Sequence, residues 1–184
     1  MSTGINDGPD QRLTGDARGP ETREAVIGQL FRERRVDLFR LAVFLVDDRA
    51  VAEELVQDAF ATLHRRWQEL TDPAAGYGYL RTTVVNAARH HLRRQAVERR
   101  HVKVAEPRDE PGADYLVLLA EEHRQVLRAL RTLPARQRAV VVLRYWEQLS
   151  EAEIAATLGI SAGTVKSSAS RAVHALKKTL EGPR

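Results

Sequence analysis

Apolar residues recur along most of the chain at the three- and four-residue spacing of amphipathic helices, and no segment shows the clear alternation of a strand. This spacing predicts a first helix from residue 21 to about Val46. Asp48 is placed to cap a second helix, and a loop is predicted at residues 71–78. A third helix is predicted from about Tyr79 toward His101. The second helix carries one apolar stripe, expected to be core: Ala52, Val56, Ala59, Phe60, Leu63 and Trp67.

The pattern changes at residues 105–115 (AEPRDEPGADY), which hold four acids, two prolines and one glycine and indicate a linker between domains. Helix is predicted again from near Tyr115 to Leu133, and Pro134 marks the start of a further helix. Residues 1–20 contain four glycines and two prolines without periodicity, which predicts a disordered tail. The predicted fold is therefore all-α, with two small helical domains joined by a flexible acidic linker.

The C-terminal segment has the features of a helix-turn-helix. Ser150 and Glu153 have the spacing of a capping box, Gly159 lies where a tight turn requires positive φ, and Ser161 can cap the next helix. An ordinary helical hairpin with a polar face is the alternative. The last helix is predicted to bury Val165, Ala169, Ala172, Val173, Leu176 and Leu180, and to expose Thr164, Lys166, Ser167 and Arg171 where a recognition helix faces base edges.

Composition excludes several classes of protein. The 184 residues include no cysteine, so there is no disulfide framework, thiolate metal site or cysteine nucleophile. No apolar run approaches the roughly 20 residues of a membrane span, and the N-terminus lacks the apolar stretch of a secretory signal. We therefore expect a cytoplasmic protein without membrane insertion.

Charge is unevenly distributed, although the net charge is only +4. Residues 47–58 carry five acids against one arginine, whereas residues 76–103 carry seven Arg and Lys against Glu98. A basic face of this kind favours a polyanion, most commonly nucleic acid. A solvated helix face is the simpler alternative.

Nothing in the sequence indicates catalysis. His90 and His91 are adjacent, so on a helix their side chains diverge by roughly 100° and do not readily share a metal ion. The sequence also lacks HExxH and the phosphate-binding GxxxxGK. No catalytic residue, metal site or cofactor is predicted.

Three stretches of sequence distinguish between the possible nucleic-acid-binding functions. In order along the chain they are AEELVQDAF (52–60), YLRTTVVNAARHHLRR (79–94) and LRTLPARQRAVVVLRY (130–145). The third lies directly before the helix-turn-helix. Together they closely resemble the extracytoplasmic-function (group 4) sigma factors of bacterial RNA polymerase, over about residues 25–180. The resemblance implies a dissociable promoter-specificity subunit without catalysis. It divides the chain into a tail (1–20), sigma region 2 (21–104), a linker (105–119) and sigma region 4 (120–184). The alternative is a transcription regulator that uses only its helix-turn-helix and has no need of AEELVQDAF.

The resemblance also implies partners and site residues. The partners are core polymerase, through its β′ clamp helices and β flap, promoter DNA, and an anti-sigma factor. Glu54, Gln57 and Asp58 match the clamp-helix surface, although without the resemblance they read as a solvated acidic face. A sigma factor must hold single-stranded bases out of the base stack, which requires an aromatic side chain as a wedge and an amide that can hydrogen-bond a base. The residues that match the family's −10 positions are Tyr79, Arg81, Asn86, Arg89, His90, Arg93 and Arg94. The −35 positions are Arg136, Ser161, Gly163, Thr164, Lys166, Ser167 and Arg171.

Four residues depart from the family pattern. Many relatives carry Trp at the position of Tyr79 and Asp at that of His90, so the wedge and the local base preference differ here. Ser168 and Ala169 replace an Arg and a Leu. We expect the first change to remove a phosphate contact and the second to reduce the core beneath the helix.

Overall fold

A computed structural model of the protein describes residues 20–69, 75–101 and 121–181. All regular structure in these ranges is helical, as predicted. The tail was predicted for residues 1–20, but Pro20 begins a helix, so the prediction is wrong at that residue. Residues 1–19 of the predicted tail, the linker and the expected helix start near Tyr115 lie outside the described residues. The elements are α1 (Pro20–Val46), α2 (Arg49–Arg65), a short 3-10 helix (Trp67–Glu69), α3 (Gly76–His101), α4 (Glu121–Arg131), α5 (Ala135–Tyr145), α6 (Glu151–Leu158) and α7 (Ala162–Leu180).

The first lobe consists of α1, α2 and α3, which pack against one another. Asp48 caps α2 as predicted, because its Oδ1 accepts a hydrogen bond from the Val51 backbone N–H at 3.1 Å. The predicted apolar stripe of α2 is buried throughout, including Phe60 and Trp67, so both aromatic residues belong to the core. Trp67 lies in the 3-10 helix that follows α2.

The start of α3 differs from the prediction. Residues 76–78 are helical, whereas the sequence pattern assigned them to a loop. A Cβ atom on Gly76 would lie 2.7 Å from Leu30 Cδ1 of α1. Gly76 therefore permits close packing of α3 against α1 rather than a turn, and helix packing overrides the low helix propensity of glycine.

The second lobe consists of α4 to α7, with the helix-turn-helix formed by α6 and α7. The capping box is complete, since the Ser150 backbone N–H donates to Glu153 Oε2 at 2.8 Å and the Glu153 N–H donates to Ser150 Oγ at 3.3 Å. Ser150 Oγ also donates to Glu153 Oε2 at 2.6 Å, and this hydrogen bond, together with the one from the Ser150 backbone N–H, holds the pKa of Glu153 below its usual value. Gly159 has φ 62°, and Ser161 Oγ accepts from the Thr164 N–H at 3.2 Å. The predicted helix-turn-helix is confirmed.

The buried side of α7 is shorter than predicted. Val165, Ala169 and Ala172 are buried, but Val173 is 42% exposed and Leu180 is 50% exposed, so the prediction that these last two are core is wrong. They lie where α7 passes beyond α6 and borders an open groove.

Ser168 is only 2% exposed and faces the lobe interior. The expected loss of a phosphate contact at this position is therefore a misassignment, because the position does not lie on the exposed side of α7. Ala169 is buried as expected.

The two lobes pack against each other through a surface that we call the seam, formed by α1 and α3 of the first lobe and α5 and α6 of the second. Buried apolar side chains continue from one lobe into the other. In the described ranges, no helix has the length and apolarity needed to cross a lipid bilayer.

Replacing Ser150 with alanine removes the N-cap acceptor of α6. We expect the free energy of unfolding to fall by about 1 kcal/mol and the melting temperature by roughly 2–4 °C, as measured by circular dichroism. Ser170→Ala, at an exposed position inside α7, is the matched control. Equal melting temperatures for the two variants would contradict the capping role.

Candidate protein and nucleic-acid interfaces

The acidic face of α2 is exposed. Glu54, Gln57 and Asp58 all project from the side of α2 opposite the buried stripe. The structure therefore brings these three predicted residues onto one surface. The helix beneath this surface is capped by Asp48 and is packed along its other side.

Beside this face lies a groove of about 250 Å³ between α1 and α2. Gln57 belongs to both the acidic face and the groove. Phe31 and Val36 of α1 are exposed there, and Phe31 packs edge-on against Phe60, with ring centroids 5.1 Å apart. Sequence reasoning missed this groove, although apolar residues of α1 off its main stripe were the available signal. Its lining residues are Phe31, Arg35, Val36, Phe39, Arg49, Glu53, Val56 and Gln57.

A larger groove of about 580 Å³ lies mainly in the second lobe. Sequence reasoning also missed it, because it assigned Val173 and Leu180 to the core. The lining is almost entirely apolar, and exposed apolar surface of this kind marks a docking site for a partner. The residues are Phe44, Val126, Leu130, Val141, Val142, Tyr145, Trp146, Val173, Leu176, Lys177 and Leu180.

On α3, the residues predicted to contact the −10 element fall into three groups: exposed residues, the half-buried Tyr79, and two arginines that face the second lobe. Asn86, His90, Arg93 and Arg94 are exposed, and Asn86 Oδ1 lies 3.5 Å from Arg89 Nη1. Tyr79 is half-buried and packs against the core. The exposed group offers an amide, an imidazole and two guanidinium groups to a ligand.

Arg81 and Arg89 instead enter the seam. The Arg81 side chain is 16% exposed, and its Nη1 lies 3.7 Å from Glu147 Oε2 of the second lobe. Arg89 Nη1 donates to the Leu158 carbonyl oxygen at 2.7 Å. Burial lowers the pKa of Arg89, and the neighbouring charges of Arg93 and Arg136 lower it further.

The residues predicted to contact the −35 element gather at the start of α7. Ser161, Gly163, Lys166, Ser167 and Arg171 are exposed, and Thr164 is half-buried. Arg171 Nη2 donates to Ser167 Oγ at 3.4 Å. Arg136 is exposed in the first turn of α5, separate from this group, and its charge acts on Arg89. The arrangement presents hydroxyl and cationic groups at the N-terminal end of a helix, as groove recognition requires.

Glu147 forms the polar centre of the seam. Tyr77 Oη donates to its two carboxylate oxygens at 2.9 and 3.2 Å, and the Glu147 side chain is 5% exposed. Burial raises the pKa of Tyr77, and the carboxylate of Glu147 raises it further. Tyr77 therefore remains a neutral donor at physiological pH.

At the other end of the seam, Arg138 Nη1 donates to the Leu45 carbonyl oxygen at 2.9 Å, and Arg131 forms a close ion pair with Asp47. Burial raises the pKa of Asp47 even though the Arg131 charge opposes this change. Phe44 packs edge-on against Trp146, with ring centroids 4.7 Å apart. The seam thus combines charged, backbone and aromatic contacts.

Comparison with known families matches each lobe separately. The family description "Sigma-70 region 2" matches residues 30–98, and "Sigma-70, region 4" matches residues 123–176. The region 2 match precedes the region 4 match along the chain, so one protein carries both regions. A regulator that uses only a helix-turn-helix would account for the second match alone.

Relatives and solved structures agree with these matches. The chain is 37% identical over 152 residues to the RNA polymerase sigma-E factor of Streptomyces coelicolor, covering 81% of this chain and 82% of the relative. It is 36% identical over 152 residues to the ECF RNA polymerase sigma factor SigM of Mycobacterium tuberculosis, covering 83% and 76%. The fold is similar to the sigma factor RpoE of Bartonella quintana, solved in complex with the anti-sigma factor NepR, with a TM-score of 0.69, 22% identity, and coverage of 88% of this chain and 99% of that one.

Proposed function

Because the chain belongs to the extracytoplasmic-function sigma factors of the sigma-70 family, we propose that its two lobes recognise different promoter elements. As a member of this family, the protein directs promoter-specific transcription initiation by RNA polymerase and has no catalytic activity of its own. We assign sigma region 2 and −10 recognition to residues 21–104, and sigma region 4 and −35 recognition to residues 120–184. The observation that supports this assignment is that each lobe carries both a groove and exposed basic residues, on α3 in the first lobe and on α7 in the second.

The first polymerase contact in this proposal is the acidic face of α2 together with the adjoining groove. Glu54 and Asp58 supply charge for basic side chains of the β′ clamp helices, and Phe31 and Val36 supply apolar area. A charged face beside a groove with exposed apolar side chains is typical of a protein interface with a buried centre and a polar rim.

Reversing the two charges with Glu54→Arg and Asp58→Arg should weaken binding to core polymerase roughly tenfold, about 1.4 kcal/mol. Fluorescence anisotropy of labelled protein titrated with core enzyme measures this change. Glu24→Arg with Glu69→Arg makes the same change in net charge at exposed positions that belong to neither the predicted clamp-helix residues nor the groove lining. Equal affinities for the two double variants would place the interface elsewhere.

The second polymerase contact is the large apolar groove, which we assign to the β flap. Its lining is apolar and continuous over α4, α5 and α7, which suits an amphipathic helix laid into a groove. Lys177 at its border adds a positive charge for an acidic partner residue.

Val173→Glu places a charge in this groove at a position that is already exposed, so the fold should be retained. We expect transcription from promoters that depend on the −35 element to fall roughly tenfold, about 1.4 kcal/mol, while duplex binding by the second lobe is unchanged. His174→Glu, the exposed neighbour outside the groove, should have little effect. Equal transcription by both variants would remove the groove from the polymerase interface.

Promoter recognition in this proposal uses α3 and α7. Asn86 on the exposed side of α3 offers an amide to a flipped base, Tyr79 supplies a wedge, and Arg93 and Arg94 bind phosphates. In the second lobe, the exposed residues at the start of α7 read the major groove of the −35 element.

Asn86→Ala should reduce promoter opening roughly tenfold, since a lost amide–base contact costs about 1–3 kcal/mol, while core polymerase binding is unchanged. Permanganate footprinting of the holoenzyme on a cognate promoter reports opening. Val97→Ala, at an exposed position on the same helix, is the control. Unchanged opening in the Asn86 variant would refute base recognition by this residue.

Regulation by an anti-sigma factor is also proposed. Two structurally similar proteins were solved as complexes: the sigma factor RpoE with the anti-sigma factor NepR, and CnrH with the cytosolic domain of CnrY, the latter at a TM-score of 0.63 and 24% identity. The larger apolar groove also suits a competing helical segment. We place the protein in the cytoplasm, where its polymerase partner resides.

A further inference from the structure

An imidazole group lies in the middle of the exposed side of α3. Side chains three and four residues apart on a helix are neighbours, with Cβ atoms about 5–6 Å apart, so Asn86 lies one turn before His90, and Arg93 and Arg94 lie one turn after it. All four side chains are exposed. We call this surface, about 12 Å long at a rise of about 1.5 Å per residue, the α3 exposed face.

The side chain of His90 has no partner among the described residues, since no hydrogen bond or ion pair joins it to another side chain or to the backbone. Its neighbour His91 is half-buried and points roughly 100° away around the helix. Both ring nitrogens of His90 are therefore available to a ligand that lies along the α3 exposed face.

The permanent charges near His90 are cationic. Arg89 precedes it in sequence, and the charge of Arg136 on α5 helps to lower the pKa of Arg89. The only carboxylate in the sequence of α3 is Glu98, which follows His90 by eight residues, about 12 Å along the helix axis. That separation exceeds the screening length of about 8 Å at physiological salt. No carboxylate of α3 therefore competes with a ligand for His90.

Carboxylates on the neighbouring elements act on the opposite end of α3. Asp37 of α1 and Glu147 act on Tyr77, and Glu153 of α6 acts on Arg81. Arg81 precedes His90 by nine residues, about 13 Å along the helix axis. Glu54 and Asp58 of α2 project from the side of that helix opposite its packed stripe. An anion that binds at His90 therefore meets cations rather than acidic side chains.

The imidazole differs from its neighbours because its charge depends on pH. Histidine is the side chain that ordinarily changes charge between about pH 5 and pH 8, and its protonated ring carries two N–H donors. We propose that His90 is a proton-dependent phosphate contact, in which the imidazolium binds the backbone of the −10 strand between the base held by Asn86 and the phosphates held by Arg93 and Arg94. This inference rests on the proposed assignment of the α3 exposed face to the −10 element.

The direction of the pH dependence follows from the charge of the ligand. A phosphate beside the imidazole favours its charged form, so the DNA complex holds more protons than the free protein. DNA binding therefore tightens as the pH falls from 8 to 6 and weakens as the pH rises again. Arginine keeps its charge over this range, so the contacts of Arg93 and Arg94 do not vary with pH.

The pH dependence of DNA binding by the holoenzyme tests this contact. The probe is a rhodamine-labelled cognate promoter duplex whose −10 element is kept single-stranded by mismatches, and fluorescence anisotropy gives its Kd at pH 6, 7 and 8. Because core polymerase also titrates, the Kd of the His90→Gln holoenzyme is divided by that of the wild type at each pH. We expect this ratio to be close to 1 at pH 8 and roughly 10 at pH 6.

Two further measurements identify the ligand of His90 as a phosphate. His90→Arg carries a permanent charge at the same exposed position, so its holoenzyme should bind the probe roughly tenfold more tightly than His90→Gln at every pH. At pH 6, the logarithm of the wild-type affinity should fall with the logarithm of salt concentration more steeply than that of His90→Gln. The difference in slope should be about 0.7, as one additional contact to a single strand requires.

A ratio that stays constant from pH 8 to pH 6 would overturn the proposal, whether it is 1, when His90 makes no contact, or larger, when the neutral ring makes it. Equal salt slopes at pH 6 would also overturn it, because the contact would then not involve a phosphate. His64→Gln removes an exposed histidine from α2, a helix without assigned DNA contacts, and should leave the wild-type pH profile unchanged.

Arg93→Gln with Arg94→Gln separates failure of this proposal from failure of the proposed function. If the double variant binds the probe as tightly as the wild type at every pH, the α3 exposed face does not meet the −10 element, and both proposals fail. If the double variant binds more weakly while the ratio for His90→Gln stays constant with pH, only the His90 contact fails.

Discussion

The relative placement of the two lobes depends on helix-terminal carbonyl groups that each lobe presents to an arginine of the other. A helix end buried at an interface needs a donor, since its last carbonyls have none within the helix. Arg138 and Arg89 supply those donors in opposite directions. The acidic pocket around Glu147 and the aromatic pair of Phe44 and Trp146 lie on the same seam. These contacts set which surfaces of α3 are covered and which remain open.

Local features of the fold were predictable because their physical causes lie close together in sequence. The α2 stripe and the Ser150 capping box depend on residues one or two turns apart, and the structure reproduces both. The start of α3 was not predictable, because it depends on the contact of Gly76 with Leu30 from a different helix. The end of the buried stripe on α7 likewise depends on how far neighbouring helices extend over it.

The candidate sites show the same distinction. Helical spacing was sufficient to place Glu54, Gln57 and Asp58 on one face, and to gather the exposed residues at the start of α7. Spacing could not show that Arg81 and Arg89 turn toward the second lobe, since their partners lie more than 60 residues away in sequence. The two grooves were not predicted, for a related reason. An apolar residue at helical spacing predicts burial, and only the assembled helices reveal which such residues remain exposed.

Burial of Glu147 between the lobes has a consequence for how sequence changes are tolerated. Its partners Tyr77 and Arg81 belong to the other lobe, and a buried polar group that loses its hydrogen-bond partner costs about 1–3 kcal/mol. Substitutions at these three positions are therefore coupled across the two lobes. A change on one side of the seam is tolerated best when the other side changes with it.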